Sequence, residues 1–180
     1  MRIIAFVGLP ASGKSEASKV ASGMGLSVVV MGDIIREEVK RRGLLLTDEN
    51  AGGVGSDLRK LEGMDAIAKR CIPVIRARNA DVIVVDGVRG IAEVERFREV
   101  FGDDFSLIKV ESTLEWRFDR LEKRGRSDSL KSREELENRD ERELGWGMKA
   151  AMESADMVIK NDGTLDNFRG QVKTALNGYL

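Results

Sequence analysis

The sequence predicts an α/β fold: a parallel sheet covered by helices. Three observations carry that expectation. Short β-rich runs recur along the 180 residues, and several are unbroken Val/Ile stretches rather than apolar–polar alternations, as strands buried on both faces require. The segments between them are long, charged and of helical period, which is what crossovers between parallel strands need. Hydrophobic residues at 42% beneath charged residues at 34% provide a core and a solvated surface, which excludes a disordered chain.

In order, the expected strands are Ile3–Val7, Ser27–Val30, Val82–Val85, Ser106–Val110 and Met157–Ile159. Helical patterns cover Gly13–Gly23, Asp33–Arg42, Thr47–Leu61, Met64–Ala80, Ile91–Phe101, Thr113–Lys123, Arg133–Ala155 and Leu165–Leu176. Thr47 and Ser132 are suited to cap helix N-termini, and Ser132 with Glu135 has capping-box spacing. Gly43 after Arg41-Arg42 reads as a helix stop, with cations at the negative helix end. Pro73 falls inside its pattern and is expected to kink or split that helix. Two stretches break the rhythm. One is a helical excursion from Met31 to Ala80. The other is Arg124–Glu143, where 13 of 20 residues are charged; it reads either as a solvated helix face or as something more specific.

Composition removes several function classes. Thirty Lys+Arg against 31 Asp+Glu leaves a net charge of −1, so no global basic field points to nucleic acid. The absence of histidine removes Ser-His triads, histidine zinc sites and histidine bases. The lone Cys71 makes no intramolecular disulfide and reads as a small buried residue of a reducing compartment. No apolar run approaches the ~20 residues of a membrane span, and Ile3–Val7 is shorter than the ~7–15 residues of a secretory signal core. A soluble, cytoplasmic protein is expected.

The strongest motif is Gly8-Leu9-Pro10-Ala11-Ser12-Gly13-Lys14-Ser15, which fits G-x-x-x-x-G-K-[ST] at every fixed position, between a buried-type strand and a helix. Glycines let backbone N–H groups approach phosphate oxygens, and the helix beginning at Lys14 adds unpaired amides and its positive dipole end. Lys14 would bridge β- and γ-phosphates, and Ser15 would offer its hydroxyl to Mg²⁺. Val82–Asp86 is an apolar run ending in Asp-Gly, so Asp86 belongs beside Mg²⁺ as a Walker-B-type acid; its plainer alternative is an Asp-Gly turn. Asp33 follows the second strand in the same way and would face the loop from the acceptor side, orienting or deprotonating a hydroxyl or holding water on Mg²⁺. Arg36 and Arg89 could clamp an anionic acceptor. The plainer alternative makes Asp33 a helix N-cap and Arg36 a surface cation. Arg117, Arg120 and Arg124 share one helical face and, with Arg126, lead into the charged stretch. A lid closing over transferring phosphates would use them, unless Glu122 and Asp128 neutralise them in a structural network.

Together these motifs resemble small P-loop nucleoside- and metabolite-phosphate kinases of the adenylate-kinase and dephospho-CoA-kinase branch. Gly32-Asp33-Ile34-Ile35-Arg36-Glu37 resembles the Gly-Asp-x-Leu-Arg element of adenylate kinases, whose arginine holds the acceptor phosphate. Asp86-Gly87-Val88-Arg89 resembles their Asp-Gly-Phe-Pro-Arg without the proline. Ala155–Leu165 is similar to the Ala-Asp-x-Val-Ile-x-Asn-x-Gly-Ser/Thr-Leu element of dephospho-CoA kinases, which implies that Lys160, Asn161, Asp162 and Gly163 border the donor base. The whole mosaic, including Thr47-Asp48-Glu49-Asn50, is similar to an archaeal adenylate-kinase-related group close to dephospho-CoA kinase. The paired-aspartate lid segment of adenylate kinases is missing, and the Met31–Ala80 excursion is unlike that of bacterial dephospho-CoA kinases.

The resemblance implies strand order 2-3-1-4-5 in one P-loop kinase domain over residues 1–180, with a helical acceptor-binding insertion at about 32–80 and a lid at about 124–138. The expected activity is Mg²⁺-dependent transfer of the ATP γ-phosphoryl group to a nucleotide or nucleotide-like metabolite. Lys14, Asp33, Arg120 and Arg124 would be catalytic. The loop would hold ATP, Arg36 and Arg89 the acceptor, and Ser15 and Asp86 the metal. The alternatives are a nucleotide-dependent switch acting on a protein or RNA partner, and a nucleotide-binding module without chemistry.

Overall fold

The computed structural model describes residues 1–124 and 132–180. In chain order the elements are β1 Arg2–Val7, α1 Lys14–Gly23, β2 Ser27–Val30, α2 Met31–Arg41, α3 Asp48–Glu62, α4 Ala66–Arg76, β3 Val82–Val88 and α5 Ile91–Phe101. They continue with β4 Phe105–Glu111, α6 Leu114–Arg124, α7 Arg133–Gly145, α8 Met148–Glu153, β5 Met157–Lys160 and α9 Leu165–Asn177. The strands form one sheet in the order β2-β3-β1-β4-β5, every pair parallel. The fold is the α/β architecture expected, including the strand order.

The unbroken Val/Ile runs have their explanation in β1. Ile3, Ala5 and Val7 face one layer, with Val39, Leu58, Ile75, Val94 and Phe97 of the helices above them. Ile4 and Phe6 face the other, against α1 and α9 through Ala17, Val20, Phe168 and Val172. Because side chains alternate between the two faces, a strand covered on both has no polar position to spare. Ile3, Ile4, Phe6 and Val7 are wholly buried, each worth about 1.5–3 kcal/mol relative to an exposed side chain. Parallel strands bring all their carboxyl ends to one edge, where ligands of such sheets collect.

Several boundaries differ from expectation. β3 runs on to Val88 rather than stopping at Val85, so Asp86 lies within the strand, paired with Phe6 of β1 and Val30 of β2. The register slips between Phe6↔Asp86 and Val7↔Val88, which makes Gly87 the extra residue of a bulge. Helix α2 starts directly at Met31, so Asp33 sits in its first turn and Val30 occupies the cap position. Pro73 neither ends nor splits α4, which runs from Ala66 to Arg76. Ile67, Ala68, Cys71, Ile72 and Ile75 are buried on that helix, and their burial outweighs the ~3 kcal/mol that an internal proline costs. The single helix expected over Arg133–Ala155 is two, α7 and α8, broken at Gly147 with φ 86°. The break reorients the chain so that Met148 and Ala151 enter the core.

Candidate active site

The loop between β1 and α1 lies at the carboxyl edge of the sheet. Gly8 and Gly13 are there because nothing larger fits. A Cβ on Gly8 would lie 2.4 Å from the Val110 carbonyl oxygen, and one on Gly13 would lie 2.3 Å from Asn161 Nδ2. Gly13 also has φ 121°, a conformation that L side chains rarely adopt. Ala11 takes a left-handed conformation at φ 60°. The buried Ser12 Oγ has no hydrogen-bond partner among the described residues, and such an orphan calls for a ligand or water.

Lys14 opens α1 and is almost fully buried, its ammonium donating to the carbonyl oxygens of Gly8 at 2.6 Å and Leu9 at 3.0 Å. Burial, and then the nearby Arg89, bring its pKa from 10.5 down to about 7, while Glu143 and Asp86 pull upward and Arg139 pushes down. Ser15, one residue on, is exposed. Asp86 is buried at the neighbouring strand, with its carboxylate within electrostatic reach of Lys14.

Asn161 and Arg120 brace the loop from the other side. The buried Asn161 amide donates to the Ser12 carbonyl at 2.8 Å. Arg120 donates to Ser112 Oγ at 2.9 Å, to the Ala11 carbonyl at 3.4 Å and to the Asn161 carbonyl. Asp162 accepts from Ser112 Oγ at 2.9 Å and from the Thr113 amide at 3.0 Å. Lys160 and Gly163 are exposed on either side of this pair. Arg117 does not present itself to solvent on a lid face. It is 4% exposed, forks onto Asp140 of α7 at 2.7 and 2.8 Å, and donates to the Pro10 carbonyl at 3.2 Å. Arg124 closes α6. Arg126, Asp128 and the lid residues 125–131 lie outside the described residues.

Beside the loop a cavity of about 210 Å³ opens between α2, α3 and α7, with Arg36, Arg59, Arg89, Arg139, Arg142 and Trp146 among its walls. Arg36 pairs with Asp33 on exposed α2, where the two side chains are 48% and 57% accessible. Arg89 donates to Glu143 at 2.7 Å, and Arg139 approaches the same carboxylate at 3.1 Å. Burial pushes the Glu143 carboxyl up, but Arg89, Arg139 and Lys14 more than offset it, so its pKa lies below the usual range. Arg59 is buried against Glu93 at 2.7 Å, with its guanidinium 4.2 Å from the centre of the Trp146 ring.

Sequence reading named Arg36 and Arg89 and missed Arg59, Arg139, Arg142, Glu143 and Trp146. A signal existed: 139, 142, 143 and 146 follow the i, i+3, i+4, i+7 spacing of one helix face.

The family model for the AAA domain matches residues 7–137. The chain is 56% identical over 180 residues to the UPF0200 protein of Methanosarcina acetivorans, covering all of this chain and 96% of that one. Among solved structures it is similar to TT1252 from Thermus thermophilus, with TM-score 0.69 and 18% identity, covering 98% of this chain and 97% of that one. It is also similar to a shikimate kinase from Acinetobacter baumannii in complex with shikimate, with TM-score 0.62 and 15% identity, covering 98% and 92%. At these identities the likeness is one of fold.

Proposed function

The chain belongs to the UPF0200 protein family and to the AAA domain family, and from that premise we propose that it is an ATP-dependent phosphotransferase acting on a small anionic acceptor of nucleotide or nucleotide-like type. One observation carries the reading: the buried Lys14 ammonium lies within electrostatic reach of Arg89, Glu143, Asp86 and Arg139. The lysine of the phosphate loop and the arginines of the neighbouring cavity therefore belong to one field. A phosphoryl group held between them would have a donor cradle on one side and an anion-binding wall on the other.

The parts have distinct tasks. The loop amides, Lys14 and Ser12 would grip the triphosphate, and Arg120 and Asn161 would hold the loop in shape. Arg36 and Arg89 would receive the acceptor, and Asp33, through its ion pair, would position Arg36 or orient an acceptor hydroxyl. Residues at about 32–80 would form the acceptor-binding insertion of a single domain. Arg120, already against the loop, would face the transferring phosphates, and a lid at about 124–138 would bring Arg124 to them. Lys160–Gly163 would border the base.

Asp86, a buried carboxylate beside the phosphate loop, and the exposed Ser15 fit a Mg²⁺ ion. No group of three or more His, Cys, Asp or Glu among the described residues could hold a metal, so the remaining ligands would be phosphate oxygens and water. When bound, Mg²⁺ neutralises phosphate charge. With no histidine in the chain, a carboxylate such as Asp33 would serve as base for a hydroxyl acceptor, whereas a phosphate acceptor needs none.

The test is a screen of nucleoside monophosphates, dephospho-CoA and shikimate as acceptors, with product identification. Lys14→Ala should abolish turnover; wild-type rates in that variant refute the scheme. The second reading is a nucleotide-dependent switch working on a protein or RNA partner. It predicts ATP hydrolysis stimulated only by a macromolecule, with no phosphorylated small product. Among the described residues no helix is long and apolar enough to cross a membrane.

A further inference from the structure

We propose that Asp48 is an internal occupant of the acceptor-phosphate site: its carboxylate holds Arg139 and Arg142 until a phosphate monoester displaces it. The inference rests on reading the arginine-lined cavity as the acceptor site, and it adds two arginines and a competing acid to that site.

The geometry is that of a bridging oxyanion. One Asp48 oxygen meets Arg139 at 2.9 Å and the other meets Arg142 at 2.9 Å, so each oxygen has its own guanidinium. Two oxygens of a phosphate can make the same pair of contacts. Asp48 also lies in the first turn of α3, where the helix dipole favours a negative charge of either origin. Arg142 lies tight against α3: a Cβ on Gly52 would come within 2.7 Å of its Cζ, and its buried Nε has no partner among the described residues. This guanidinium still has a donor to give.

Charge supports the exchange. Arg36, Arg59, Arg89, Arg139 and Arg142 are matched by Asp33, Glu93, Glu143 and Asp48, five cations to four anions, a surplus of one. Without Asp48 the surplus is two, which suits the charge of roughly −1.5 to −2 on a phosphate monoester. A monocarboxylate acceptor would suit the cavity with Asp48 still in place. Size agrees. The cavity's 210 Å³ falls below the roughly 300–1,000 Å³ of small-molecule sites, and Asp48, one of its lining residues, ties α3 to α7. Releasing that tie would let the two helices part around a larger acceptor.

The experiment uses the full chain saturated with Mg²⁺ and a non-hydrolysable ATP analogue, so that the phosphate loop is already filled. AMP, inorganic phosphate and shikimate are titrated separately by calorimetry against wild type, Asp48→Asn, Asp48→Glu and Arg142→Gln, each checked for native circular dichroism. The expected result is that Asp48→Asn binds AMP and inorganic phosphate about tenfold tighter and Arg142→Gln at least tenfold weaker. Asp48→Glu, which keeps the charge, should return close to wild type, and shikimate should gain less than AMP. Equal gains for AMP and inorganic phosphate assign recognition to the phosphate group; a gain for AMP alone adds contacts to the nucleoside. The proposal is overturned if a folded Asp48→Asn binds AMP no tighter than wild type, if Arg142→Gln binds it unchanged, if shikimate alone gains, or if no variant binds AMP. Transfer of phosphate to some acceptor with Asp48→Asn leaving its KM unchanged would sink this proposal and spare the kinase reading. Tightened AMP binding without a phosphorylated product from any acceptor would do the reverse.

Discussion

Raising the pH should release nucleotide, and Lys14 sets the size of the effect. Its pKa falls from 10.5 to about 7 through burial and then Arg89, a difference worth roughly 5 kcal/mol at 1.36 kcal/mol per pH unit. In the free protein the amine is therefore about half charged at pH 7, about one-tenth charged at pH 8 and about one-hundredth at pH 9. A triphosphate placed against the amine favours the charged form, so binding must take up the missing proton. Uptake should be about 0.9 proton at pH 8 and about 0.1 at pH 6. Affinity should fall about 50-fold between pH 7 and pH 9. Folding has the opposite sign. The native state binds fewer protons than the unfolded chain between pH 7 and 10.5, so this group's contribution to stability rises with pH across that window. Titration calorimetry at pH 8 in two buffers of different ionisation enthalpy reads the proton number directly. Lys14→Arg, whose guanidinium does not titrate, should bind more weakly but with a flat profile. Zero uptake at pH 8, or wild-type affinity that is level from pH 7 to 9, would refute the reasoning.

Other consequences follow from named contacts. Gly13→Ala should cost at least about 2 kcal/mol of stability and abolish nucleotide binding, since its Cβ would meet Asn161 Nδ2 at 2.3 Å on a backbone with φ 121°; thermal melts and calorimetry check both. Arg117→Ala leaves Asp140, 13% exposed, without the guanidinium that forks onto it. The loss should be about 3–5 kcal/mol, or about 6–20 °C in melting temperature for a chain of this size. Asp86→Asn should lower Mg²⁺-dependent turnover at least about a hundredfold, roughly 2.7 kcal/mol. Removing that carboxylate also removes an upward pull on Lys14, so the midpoint of the pH profile above should move lower.

The phosphate loop and the sheet were legible because their determinants are local. The loop's spacing falls within eight consecutive residues, and each strand reports its two-sided burial in its own Val/Ile content. The cavity was legible only where Arg36 and Arg89 sit beside strand ends. Of its other cations, Arg139 and Arg142 lie in a charged stretch that reads equally as a solvated face or as something more specific, and Arg59 lies in α3; a guanidinium in water and one clasped by a distant carboxylate have the same sequence signature. Arg142 finds Asp48 across 94 residues, Arg89 finds Glu143 across 54, and Arg117 finds Pro10 across 107. No window along the chain contains both partners. Pro73 does not split α4 for a related reason: a local rule was overruled by the burial of the residues around it.

Those long-range pairs converge on α7. Through Asp140 and Arg117 it reaches the phosphate loop; through Glu143 it reaches Arg89 at the end of β3; and through Arg139 and Arg142 it reaches Asp48 of α3. A helix kept only for solubility would leave such charges in water. Glu143 is 2% exposed, and burying a carboxylate costs several kcal/mol, offset only while guanidiniums stay beside it. Apolar residues of similar volume would close the same gap at less cost in desolvation. Retaining charges there makes sense if α7 must keep donor loop and acceptor arginines in one register and yet let go of one of them. A buried ionic contact has that property and an apolar one lacks it, because an incoming anion can replace a carboxylate but not a leucine.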